Sequence, residues 1–236
     1  MVLLKKQWRI ISLAAALTAT AAIAVFITIM MAGCADKPNN PATPDNGGNT
    51  DNSSGGNDGV VGIIDYGSVK IGGNKWMQKN LNIETEGSWC YDDNLFNCVK
   101  YGRLYTWDAA KKACPKGWHL PTRKDWGELA WAAGGYDDYG KYGGGAVKLQ
   151  SKTGWNDNGN GTDDFKFSAL PGGFRESDGG FYDVGDIGYW WTATDVDDGH
   201  WVYYRCMSAE YGNVGEDIVN LRWPNYGFSV RCVADK

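Results

Sequence analysis

Histidine is nearly absent from this chain: His119 and His200 are the only two in 236 residues. Side-chain acid–base chemistry near neutral pH is therefore confined to two positions. Neither belongs to a serine or cysteine nucleophile motif with an orienting acid, so no catalytic residue can be nominated. A basic run is missing too. Lys and Arg number 23 against 28 Asp and Glu, for a net charge of −5, and that balance argues against a nucleic-acid partner. There is no internal repeat beyond a local echo of Gly172-Gly173-Phe174 in Gly179-Gly180-Phe181. A long uncharged stretch occurs once, at residues 10–31, and it dictates the cellular address.

Lys5, Lys6 and Arg9 precede that stretch, and Met31-Ala32-Gly33-Cys34 closes it. A basic start, an apolar run and small residues before a cut site describe an export signal. The closing tetrapeptide resembles a bacterial lipobox, with Met31 where Leu is usual. That resemblance implies residues 1–33 as signal peptide and Cys34 as the lipidated mature N-terminus. Ala35 after it favours the outer membrane by analogy with lipoprotein sorting. An uncleaved membrane helix is the alternative, because the run matches the about 20 helical residues that span a bilayer. Cleavage would remove three cations and no acid, leaving the mature chain more acidic still. Residues 34–59 are rich in Asn, Asp, Gly, Pro and Ser and hold no large apolar side chain. Such a segment cannot offset its ordering entropy and reads as a disordered linker, roughly 25–30 Å in average span.

Residues 60–236 suffice for one domain with a substantial core. Eleven of the 12 tryptophans fall there, enough that some are expected at the surface. Ser68 to Ile71 and Lys75 to Lys79 flank Gly72-Gly73-Asn74 as an opening hairpin. A first helix is predicted over 102–112, ended by Pro115. A second starts at Thr122, with Asp125 as its capping-box partner and Gly134-Gly135 at its end. Its inner face is Trp126, Leu129, Ala130 and Ala133. Polar loops follow at 134–145 and 155–164. Strands are predicted at 165–174, 188–194, 200–208 and 226–233. This pattern predicts an α+β domain, two helices packed on a twisted, mainly antiparallel sheet with long loops. Cys90 and Cys98 bracket a short Asp/Asn turn and are expected to pair, worth about 2–3 kcal/mol.

Four motifs carry a further resemblance. They are Cys114-Pro115-Lys116-Gly117-Trp118-His119-Leu120-Pro121-Thr122, Ala169-Leu170-Pro171-Gly172-Gly173-Phe174-Arg175, Gly188-Tyr189-Trp190-Trp191-Thr192-Ala193-Thr194 and Gly227-Phe228-Ser229-Val230-Arg231-Cys232-Val233. Their order resembles the Fibrobacter succinogenes major paralogous domain over roughly residues 65–235, a bacterial surface family of C-type-lectin-like shape. The lectin-like framework implies a Cys114–Cys232 bridge, worth roughly 4–5 kcal/mol on the chain-entropy model. With Cys34 set aside for lipid, Cys206 is then left over.

Calcium-dependent lectins of that shape are matched poorly. Trp155-Asn156-Asp157 spells their tripeptide, and Trp223-Pro224-Asn225 resembles their Glu-Pro-Asn without its acid, but the order is reversed. The run from Asp157 to Asp164 fails EF-hand spacing. No metal or other cofactor is therefore expected. Formylglycine-generating enzymes share the shape, and Leu120-Pro121-Thr122-Arg123-Lys124-Asp125-Trp126 is similar to their motif, yet their reactive cysteine pair is absent. The expected activity is instead binding, to a polysaccharide or another surface protein. Its expected residues are Trp155, Asp157, Asn158, Trp201, Tyr203, Trp223, Asn225 and Tyr226, with aromatics stacking on sugar faces and Asn and Asp reading hydroxyls. The loop at 155–164 is expected near residues 222–226. The alternative from another class is a structural subunit of a surface fibre.

Overall fold

Glycine sets the first turn. Strands β1 (Ser68–Ile71) and β2 (Asn74–Met77) pair antiparallel, Ile71 opposite Asn74, around Gly72-Gly73. The computed structural model of the chain describes residues 65–134, 145–196, 200–210, 212, 214–221 and 225–236. Cys34, expected to carry lipid, the expected linker at 34–59, most of the predicted 134–145 loop and Trp223 lie outside the described residues.

Local capping chemistry decides the helices. After β3 (Ser88–Trp89) and a 3-10 turn (Tyr91–Asp93), the side chain of Asn94 accepts from the Phe96 amide at 3.0 Å and starts α1 (Leu95–Tyr101). Sequence reasoning missed α1. The helix predicted over 102–112 begins later, as α2 (Trp107–Ala113). Thr106 caps it by accepting from the Ala109 amide, and Leu104 and Tyr105 are drawn out as β4 (Leu104–Tyr105) to pair with β3. Past β5 (Trp118–His119), α3 (Arg123–Gly134) starts where the capping box predicts. The Asp125 carboxylate accepts from the Thr122 amide at 2.9 Å and its hydroxyl at 2.6 Å, and Thr122 Oγ1 accepts from the Asp125 amide at 3.2 Å. A single-turn helix, α4 (Ala146–Leu149), follows.

The strand predicted over 165–174 shrinks to β6 (Gly172–Arg175). Lys166 and Ser168 are left-handed, at φ +55° and +53°, and the Asp163 carboxylate holds Ser168 by its amide and its hydroxyl, both at 2.7 Å. That turn cannot lie flat in a ladder. The remaining strands are β7 (Phe181–Val184), β8 (Ile187–Asp195), β9 (Trp201–Ser208), β10 (Val214–Asn220), β11 (Phe228–Ser229) and β12 (Val233–Ala234). The last predicted strand thus splits in two. Among the described residues the strands form a four-stranded sheet, β1-β2-β12-β5, and a larger one ordered β10-β9-β8-β11-β4-β3, with β6 pairing to β8 and β7 to β6. The architecture is mixed α+β.

Strand alternation gives the large sheet two different faces. Trp190 and Met207 face α3, where Trp76, Trp126 and Phe167 complete the core. The Trp76 and Trp126 rings lie 5.0 Å apart, and Trp126 lies 6.0 Å from Trp190. Trp191 points the other way, 4.4 Å from Phe228, into a second aromatic cluster with Tyr189, Phe174 and Tyr204. Cys90–Cys98 and Cys114–Cys232 are bridged. Cys206, expected to be left over, is disulfide-bonded as well, so no described cysteine is a free thiol.

Candidate functional site

A helix that spends four positions on the core has others to spend outward. On α3, Trp126, Leu129, Ala130 and Ala133 are buried, which turns Lys124, Glu128 and Trp131 to the opposite stripe at i, i+4, i+7. Trp131 is 62% exposed, an unusual amount for so large a ring. The stripe forms one wall of an open groove of about 950 Å³. Its other wall is the glycine turn of the first hairpin. Gly72 has φ +60°, and a Cβ there would stand 3.4 Å from Ala132 and from the Glu128 carbonyl. The absence of side chains at 72 and 73 keeps the groove open beside the indole.

Fixed polar groups line the groove. The Asn74 amide donates to Asp125 Oδ1 at 3.2 Å and to Glu128 Oε2 at 3.1 Å, which orients the Glu128 carboxylate. Asp125 also faces His119 Nε2 at 3.7 Å, and the other ring nitrogen, Nδ1, lies 2.7 Å from Asp235. His119 is thus held between two carboxylates behind the groove. At the far end Thr194 Oγ1 accepts from the Arg123 amide at 2.9 Å. The Arg123 guanidinium forks onto Glu216 at 2.7–2.9 Å and lies 4.4 Å above the Tyr203 ring. Arg205, fully buried, also pairs with Glu216. Chemically this is an aromatic platform flanked by oriented hydrogen-bonding groups of both signs.

The residues expected from sequence are scattered. Trp155 is only 4% exposed, and its Nε1 donates to Ser151 Oγ at 3.2 Å and the Ala169 carbonyl at 3.1 Å. It is a core residue, and its expected ligand role is corrected here. The polar composition of its loop concealed that the ring folds inward under Asn160, whose side chain accepts from the Trp155 amide. Asp157 and Asn158 are exposed in a turn at φ +50° and +62°, a conformation that Asn and Asp tolerate. Asn156 anchors that turn to Gly185 and Asp186. Asn225 is exposed, its carbonyl accepting from Arg175 at 3.2 Å, and Tyr226 is half-buried 6.2 Å from Phe228. The 155–164 loop attaches beside Pro171, through Gly185, whereas Asn225 sits by Arg175, at the other end of β6. The expected meeting of those two segments does not occur among the described residues. Trp201, 38% exposed, and Tyr203 share the α3-facing side of β9, and only Tyr203 reaches the groove's edge, through Arg123. Trp131 was missed because its spacing from Trp126 was read only for the inner face. The i, i+4, i+7 stripe with Lys124 and Glu128 was the available signal.

The family model described as Fibrobacter succinogenes major domain matches residues 69–234, more than half of the chain. The chain belongs to that family. Neither the curated proteins nor the solved structures include a match. The buried residues of the motifs that carry the family likeness are scaffold. Trp190, Trp191, Phe228 and Cys232 are all buried, and Gly173, at φ +62°, has no room for a Cβ beside the Tyr182 carbonyl. Arg231 is fully buried against the Phe167 ring at 4.5 Å, with Asn80 Oδ1 accepting from its Nε and Nη2 at 2.9 and 2.7 Å. Burial pushes its guanidinium down to about 9, opposed by the Asp163 charge, so it remains cationic at neutral pH. Asp163, one of the acids of the 155–164 loop, accepts from Ser168 and faces this charge.

Proposed function

We propose that this chain is a lipid-anchored binding module of C-type-lectin-like shape, displayed at the outer membrane, that holds polysaccharide in the groove beside α3. The observation that carries the reading is Trp131, 62% exposed over a groove of about 950 Å³ and bordered by Lys124 and Glu128. Sugar rings offer flat C–H faces to an indole, and their hydroxyls suit carboxylate and ammonium neighbours. The lectin-like shape is supported by the Cys114–Cys232 bridge, which ties the end of α2 to the segment entering β12. The anchor is supported by Met31-Ala32-Gly33-Cys34 after the apolar run.

One indole and a few hydrogen bonds give weak binding, and millimolar affinity corresponds to about −4 kcal/mol. Useful retention then depends on many copies at one surface. A glycan array probed with detergent-solubilised full-length protein tests the reading. Trp131→Ala is expected to lose the glycan signal while its unfolding free energy stays within about 0.5 kcal/mol of wild type, as for other exposed positions. EDTA is expected to change nothing. A folded Trp131→Ala protein that still binds overturns the groove assignment. Non-reducing mass spectrometry of the Cys34 peptide tests the anchor. A lipid thioether supports it, and retention of residues 1–33 or a disulfide at Cys34 overturns it.

A further inference from the structure

Helix α1 exposes what a helix normally hides. Leu95, Phe96 and Val99 are 72%, 82% and 80% exposed on one short turn-and-a-half of helix. The patch is held rigidly. Cys98 on the opposite face is bridged to Cys90, and the buried Arg103 guanidinium braces both sulfurs at 3.6–3.7 Å while donating to Ser88. A flexible segment could fold such side chains away, and this one cannot. Contiguous apolar exposure of this kind marks an interaction surface.

The charges around the patch identify its occupant. Asp92 and Asp93 stand at its amino-terminal end and Lys100 at its carboxy-terminal end, all three exposed. Phe96 lies near the midpoint between acid and base, and Leu95 and Val99 flank that midpoint. A two-fold axis between Phe96 and Asn97 would therefore bring Leu95 of each copy beside Val99 of the other. It would also bring each Lys100 to the other's Asp92 and Asp93, which is the self-complementarity an isologous contact requires. From this pattern we infer that α1 is a homophilic contact, pairing two copies of the chain antiparallel through Leu95, Phe96 and Val99. Three side chains fall well short of the roughly 800 Å² per partner of a stable complex in solution. The contact therefore forms between chains concentrated on one membrane, where tethering raises the effective concentration. A two-fold contact closes after two copies, so it builds paired modules and not a fibre. The inference rests on the anchored half of the proposed function and is independent of the sugar.

The test uses full-length protein, isotope-labelled and unlabelled copies mixed, in phospholipid vesicles. Flotation first reads whether the chain stays with the vesicles, which tests the anchor on its own. A zero-length carbodiimide then couples amines to adjacent carboxylates. Mixed-isotope links from Lys100 to Asp92 or Asp93 are expected. Phe96→Asp should reduce them by about tenfold, as loss of a central anchor does. Mixed pairs are also scored after charge exchange. Lys100→Asp alone should abolish the link, and joining it with Asp93→Lys should restore a link between residues 93 and 100. These positions are exposed, and circular dichroism checks that each variant folds. If the vesicle-bound chain gives only single-isotope links, or Phe96→Asp leaves them unchanged, the inference is overturned. It also falls if a photoactivatable phospholipid labels residues 95–100 in place of a mixed link, because the patch then faces lipid.

Discussion

Helices α1 and α3 are opposite solutions to the same problem. Helix α3 follows the ordinary rule: four apolar residues at i, i+3, i+4, i+7 enter the core, and a capping box fixes its first turn. Helix α1 inverts it, facing Leu95, Phe96 and Val99 to solvent and turning only Cys98 and Tyr101 inward, with Arg103 beyond its end bracing the disulfide. Packing holds α3, so its outer stripe can carry one exposed aromatic at no structural cost. Covalent closure holds α1, which leaves Leu95, Phe96 and Val99 exposed for contact. The two exposed features of the domain thus rest on different supports and should fail separately.

The largest break should come from α3. Trp126 is fully buried among Trp76, Phe167 and Trp190. Trp126→Ala should cost about 3–5 kcal/mol in chemical denaturation, the range for a large aromatic removed from a close-packed core. A loss under 1 kcal/mol would mean that α3 is not pinned by this face. Opening the staple of α1 comes next. Replacing Cys90 and Cys98 together by Ser should cost about 2–3 kcal/mol, as expected for a short loop. Hydrogen exchange should rise in residues 90–101 and remain unchanged in α3. Exchange rising equally in both would erase the contrast. The smallest effect belongs to the cap. Asp125→Ala removes the acceptor for the Thr122 amide and hydroxyl and should cost about 0.5–2 kcal/mol, measured the same way.

Legibility followed the range of the interactions. The hairpin at Gly72-Gly73 and the capping box at Thr122 are local, and both formed where the residues predict. The two bridges also formed, one from a bracketed turn and one implied by the family likeness. Failures came where a distant partner decided the outcome. Leu104 shares helical spacing with Trp107 and Ala110, but it and Tyr105 became a strand because β3 and β11 lie beside them. Trp155 stands in a run of Asn, Asp and Gly, yet its indole found carbonyl and hydroxyl partners in the interior. Composition describes a segment's average neighbourhood and is blind to one inward rotamer.

The sequence by itself determined the family, the α+β class and the inner face of α3, because periodicity, capping and motif order are written in adjacent residues. Tertiary structure alone decided which aromatics reach water. Of two adjacent tryptophans, Trp190 went to the α3 core and Trp191 to the Phe228 cluster, and both are buried. Trp131 stayed outside because α3 had already spent its inner face and the facing hairpin turn has no side chains to cover it. Exposure depends on what packs opposite a residue, and that neighbour is usually far away along the chain.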